Sequence, residues 1–145
     1  MNKSSIASFF LLVIIYSCNF GAGSYPYAKV YNIDLSESEI IERIELFKKS
    51  YPSYSSNKFG FKDGRRNVSD YWYHIYFNDS INKRIIKTWV RKKNKETTMF
   101  ALIGIKEYSN LEKWKFVNSD LKSKENKEVI KKFEEEILNH LEVNY

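Results

Sequence analysis

His74 is the residue best suited to acid–base chemistry, because an imidazole titrates near neutrality and this one stands among Tyr71, Trp72, Tyr73 and Tyr76. Catalysis would also need an orienting carboxylate or a nucleophile, and no sequence-near pairing identifies one. The sequence therefore favours a structural or ligand-contacting histidine and no catalytic residue. A strand here has a period of two, which sets Trp72, His74 and Tyr76 on one face and Tyr71, Tyr73, Ile75 and Phe77 on the other. Left uncovered, the first row would suit a peptide, a sugar or an apolar ligand. The plainer alternative is that both faces are covered, or that the rings pack under a long loop.

A second row lies downstream, where Lys87, Trp89, Arg91 and Lys93 alternate with Ile86, Thr88 and Val90. Cations around one ring could meet anionic headgroups or an acidic partner, or could simply be a solvated face with Trp89 under lysine stems. The candidate surface is thus Trp72, His74, Tyr76, Lys87, Trp89 and Arg91. Lys62, Arg65 and Arg66 beside Gly60 and Gly64 lack phosphate-loop spacing and read as an ordinary basic loop. Glu134 to Glu136 read as a solvated run, and His140 has no partners for a metal site. Gly-x-Ser-x-Gly, His-Glu-x-x-His, Cys-x-x-Cys and dinucleotide fingerprints are all missing, so no cofactor or metal is expected.

The elements that position these rows are legible in part. Ser36 and Glu39 make a capping box, Ile40, Ile44, Phe47 and Tyr51 follow at helical spacing, and Pro52 stops the run, which predicts a helix over 37–50 with Ile40, Ile41, Ile44 and Phe47 facing the core. Three strands are expected over 71–77, 84–92 and 97–105, joined by short polar turns as an antiparallel meander. Weaker strands are expected over 25–31, with Tyr27, Lys29 and Tyr31 on one side, at the edge over 58–61, and over 111–117 with Trp114 and Phe116 inward. A closing helix over 124–141 carries Val129, Ile130, Phe133, Ile137 and Leu141 on one stripe. The expected class is α+β: a meander of three to five strands with an N-terminal and a C-terminal helix packed on the sheet.

Ahead of this domain, Lys3 precedes an apolar run of eleven residues, Ile6 to Tyr16. As a helix it would span roughly 16 Å, about half of a ~30 Å hydrocarbon core, so it fits a signal peptide better than a membrane span. Ile15-Tyr16-Ser17-Cys18 closes the run and resembles the lipobox of small bacterial envelope lipoproteins, with Tyr16 standing where the family carries a small or aliphatic residue. The resemblance implies a signal peptide over 1–17, a diacylglycerol on the Cys18 sulfur, an acylated new amine such as a palmitate-bearing one, a tether over 18–24 and one domain over 25–145. It also implies anchoring to a bacterial membrane on its periplasmic or surface side. Ordinary cleavage near Gly21-Ala22-Gly23, or an uncleaved anchor, are the alternatives.

Cys18 is the only cysteine, so an intramolecular disulfide is impossible, and lipidation would remove a free thiol from an oxidising compartment. With Lys3 in the leader, the mature part carries 23 basic and 18 acidic side chains, too diffuse an excess for nucleic acid but compatible with an acidic protein partner. An aromatic fraction of 17% argues for a packed core and against disorder. The expected role is a non-enzymatic binding module on the membrane. An immunity or inhibitor protein against a toxin, a small hydrolase using His74, or a carrier of a small hydrophobic ligand are the competing roles.

Overall fold

The computed structural model describes residues 25–145; the signal peptide expected over 1–17, the expected lipidation site Cys18 and the tether expected over 18–24 lie outside the described residues. The order is β1 (Lys29–Ile33), α1 (Glu37–Ser50), β2 (Tyr73–Asp79), β3 (Arg84–Lys92), β4 (Thr98–Glu107), β5 (Lys115–Phe116) and α2 (Ser123–Phe133). The fold is α+β. β2, β3 and β4 form the antiparallel meander, β1 adds antiparallel to the far side of β4, and β5 pairs β4 at Gly104 and Ile105.

α1 forms where its cap directs it. The Ser36 hydroxyl accepts from Glu39 N–H at 3.3 Å, and a Glu39 carboxylate oxygen accepts from Ser36 N–H at 2.9 Å, satisfying donors the first turn leaves open. Ile40, Ile44 and Phe47 are buried, with Ile41 at the margin. α2 starts at Ser123 and buries Val129 and Phe133, but at Glu134 it widens into a π-helical turn, Glu134–Leu138, in which Asn139 N–H reaches back to Glu134 C=O at 3.0 Å. The extra residue lets Ile137 and Leu138 both enter the core, so the uninterrupted stripe expected to Leu141 is replaced by a wider one.

Both helices cover one face of the sheet, where Phe133 is the hub. Its ring centroid lies 5.9 Å from Tyr31, 6.4 Å from Phe77 and 5.5 Å from Phe100. Alternation supplies this face from Ile75 and Phe77, Ile86 and Val90, Phe100 and Leu102. The opposite face carries a smaller cluster of Trp89, Ala101 and Ile103, packed with Tyr25, Ala28, Trp72 and Met99.

One residue of β4 breaks the alternation. Lys87 pairs with Gly104, but Thr88 pairs with Leu102, so Ile103 bulges without a partner. A bulge resets which side chains face which way. Ile103 and Ile105, which strict alternation would place together, therefore lie in different clusters, and Lys106 turns to the face away from the helices.

Three weaker expectations are corrected. Residues 58–61 form no strand: Asn57–Phe59 is a 3₁₀ turn capped by Gly60 at φ 80°, a left-handed conformation that glycine adopts without strain. The loop touches the sheet instead by isolated bridges, Ser55 to Phe77 and Gly64 to His74. The strand expected over 25–31 begins only at Lys29, because a turn closed by Ala28 N–H on Tyr25 C=O precedes it; Tyr31 and Ile33 are its buried residues and Tyr27 is exposed. The strand expected over 111–117 shortens to Lys115–Phe116, ended by Asn118 at φ 57°, and Phe116 points out rather than inward.

Candidate functional site

β2 and β3 bring the two rows onto the face opposite the helices. His74 pairs across the strands with Trp89, and Tyr76 with Lys87. Trp72, just before β2, sits 6.5 Å from Trp89 and meets Tyr25 edge-on at 6.0 Å. Arg91 stands apart from these five, its guanidinium 5.7 Å over the Tyr71 ring in an open groove that also takes in Arg65, Val68, Lys92 and Lys93. The rows are not an open platform. His74 is 2% exposed, Lys87 7% and Trp89 6%, under a cover made by Tyr25, the loop before β2 and the chain around Trp114.

Charged groups hold that cover in place. Lys48 of α1 binds Asp63 Oδ2 at 2.5 Å and Tyr76 C=O at 2.7 Å, while Asp63 Oδ1 accepts from Tyr76 N–H at 2.9 Å. Arg65 pairs with Glu37 of α1, so this member of the basic loop is a structural clamp. Gly64 and His74 exchange both backbone hydrogen bonds, at 2.9 and 3.0 Å.

The carboxylate missing from the sequence reading of His74 is Asp70, four residues earlier, whose Oδ2 lies 3.2 Å from His74 Nε2. The spacing was visible, but in an extended strand residues four apart do not meet. They meet because Asp70 lies in the turn before the strand, where its carboxylate also accepts from Trp72 N–H at 3.1 Å and Arg66 N–H at 3.3 Å. Burial raises the Asp70 carboxyl, and these two N–H groups together with His74 more than offset it, so its pKa ends below the ordinary value. Burial, then the Arg66 charge, lowers the His74 pKa against the opposing pull of Asp70. A neutral imidazole facing a carboxylate carries its proton on Nε2. Nδ1 is enclosed and has no hydrogen-bond partner among the described residues. This is an oriented base at 2% exposure, with no hydroxyl or thiol bonded to its free nitrogen among the described residues.

The denser chemistry lies beside it. The Lys87 ammonium sits 5.1 Å from the Tyr25 ring centroid and 5.3 Å from that of Trp114, and the Lys106 ammonium sits 4.7 Å from Trp114 and 5.4 Å from Phe61. Phe61, Tyr76 and Trp114 pack on one another, with Phe61 5.3 Å from Tyr76 and 5.6 Å from Trp114. Arg66 closes one side, its guanidinium 3.4 Å from the Tyr25 hydroxyl. Burial, then Arg66 and Lys106, pull the Lys87 pKa down from 10.5 to about 8. Of this group the sequence reading held only Tyr76 and Lys87 as site residues. Lys106 was hidden because strict alternation along β4 hides the bulge at Ile103, and Tyr25, Phe61 and Trp114 arrive from loops.

Among the described residues no three His, Cys, Asp or Glu side chains converge as a metal site, and no helix is long and apolar enough to cross a membrane. No family model, curated protein or solved structure matches the chain.

Proposed function

We propose that this protein is a lipid-anchored lipoprotein of a bacterial cell envelope that acts by binding, with the basic, aromatic face of its sheet turned to an acidic protein partner. The observation that carries this reading is the packing of Lys87 and Lys106 on Trp114 with no acidic group paired to either among the described residues. The other two buried or nearly buried cations of this kind are matched, Lys48 with Asp63 and Arg84 with Asp79. An unmatched positive face complements a negative one and speeds encounter with it. The anchor is supported by the resemblance at Ile15-Tyr16-Ser17-Cys18, and Tyr25, seven residues past Cys18, already lies on the same face. Two or three acyl chains at about 0.8 kcal/mol per buried CH₂ hold a domain at a membrane effectively permanently.

Metabolic labelling with an alkyne fatty acid tests the anchor. The chain is expected to take up label and fractionate with membranes, and Cys18→Ala to lose both; unchanged labelling rejects Cys18 as the acceptor. An immunity or inhibitor role is the narrower form of the binding reading, and a toxin encoded beside this protein would favour it. A small hydrolase built on His74 is the second reading, favoured by the Asp70 carboxylate at 3.2 Å. An activity lost in a folded His74→Ala variant would select it over binding.

A further inference from the structure

We infer that Lys87 and Lys106, with Arg66 beside them, form a cradle for an oxyanion, a carboxylate or phosphate group, walled by Tyr25, Phe61 and Trp114. The inference rests on the binding reading above and names the chemical group recognised there. Lys87 is 7% exposed and Lys106 8%, yet neither makes an ion pair or a hydrogen bond among the described residues. Residues this buried are ordinarily paired when charged. Contacts with rings compensate only part of the lost hydration, because a cation over a ring recovers far less than an ion gives up on leaving water. Two like charges against one indole add repulsion, which an anion between them would reverse.

His74 Nδ1, Arg84 Nη2 and Trp89 Nε1 are the enclosed polar atoms without partners among the described residues, and neither lysine Nζ is among them. Both lysines keep a small exposed fraction at the rim of the cover, 7% and 8%. An oxyanion arriving from solvent meets two donors there without displacing a carboxylate first. Trp114, shared by both lysines, would report its arrival.

Thermal unfolding and tryptophan fluorescence of the full chain in a neutral detergent test this, with inorganic phosphate compared against chloride at equal ionic strength. A second arm compares hexaglutamate with hexaglutamine. Phosphate or hexaglutamate is expected to raise the unfolding midpoint and change the fluorescence. Each of Lys87→Met and Lys106→Met should weaken that binding by about tenfold or more, the cost of one charge-assisted hydrogen bond. A response to phosphate and not to hexaglutamate assigns the cradle to a free oxyanion; tighter binding of hexaglutamate assigns it to acidic side chains of a partner. No response to either, or an equal response in both variants, overturns the cradle. Hexaglutamate binding that survives both substitutions would leave an acidic partner standing on other cations, and the labelling of Cys18 is read independently of all these outcomes.

Discussion

Asp70 holds His74 from the turn that precedes its strand, with Oδ2 3.2 Å from Nε2, and the same carboxylate gathers the N–H groups of Arg66 and Trp72. One side chain thereby fixes the imidazole, the start of β2 and the loop that covers the sheet. Asp70→Ala is expected to destabilise the fold by about 1–3 kcal/mol, since it leaves the buried His74 Nε2 and the half-buried Trp72 N–H without their acceptor. Urea denaturation measures this, and a loss under 0.5 kcal/mol would mean that water replaces the carboxylate at no cost.

The pH dependence of stability should carry the mark of His74. Its pKa falls below the ordinary 6.5 on folding, through burial and Arg66 and in spite of Asp70, with Lys87 also repelling it. Between the folded value and 6.5 the unfolded chain binds more protons, so this contribution to stability is complete above 6.5 and is lost as pH falls. The unfolding midpoint should drop on acidification below 6.5, and His74→Gln should flatten that part of the profile. An unchanged slope in the variant would place the acid sensitivity in other groups.

Lys87 predicts an effect at the alkaline end. Its folded pKa of about 8 lies below its ordinary 10.5, so between these values the unfolded chain again holds the extra proton. Stability from this group therefore rises with pH across that interval. The cations facing it are Arg66 and Lys106, and rings of Tyr25 and Trp114 form the rest of its surroundings. Lys87→Met should raise stability near neutral pH by about 1 kcal/mol, several degrees in midpoint for a domain of this size, and erase the alkaline rise. Calorimetry at pH 7 and pH 10 decides it; a variant less stable than the parent at pH 7 would show that the ring contacts outweigh the buried charge.

Gly104 is required by the chain that crosses it. A Cβ there would lie 2.3 Å from the Lys115 backbone oxygen and 3.0 Å from Phe116 Cα, so β5 could not stay paired with β4. Gly104→Ala is expected to cost about 1–3 kcal/mol, the range for overpacking a tight site. Amide exchange should quicken at Val117, whose N–H bonds Ile103 C=O at 3.0 Å. Protection unchanged at Val117 would argue that the backbone shifts as a unit.

Much of the scaffold could be read from local signals. The Ser36 and Glu39 box marks the start of α1 and Pro52 its end, and alternation marks β3 and its two faces. Two things were beyond that kind of reading. The pairing of β1 with β4 joins residues far apart in the chain, which no local pattern encodes. The bulge at Ile103 leaves no mark in composition, because Ile103 and Ile105 are alike in type and differ only in destination. The site suffered accordingly. His74, Tyr76, Lys87 and Trp89 share a face that strand alternation makes legible, and Trp72 just ahead of β2 continues it, whereas Lys106, Trp114, Tyr25 and Asp70 depend on a bulge and on loops.

β1 is the first strand of the described residues, and its register with β4 runs from Lys29 with Leu102 to Ile33 with Thr98. Tension applied to the chain ahead of Tyr25 would reach the fold through this ladder. Its load passes to β4, which is bonded on its other side to β3 along most of its length, rather than to the β2 edge. Mechanically, a pull from that side bears first on an edge strand, β1, and is shared with the rest of the sheet only through its ladder to the inner strand β4.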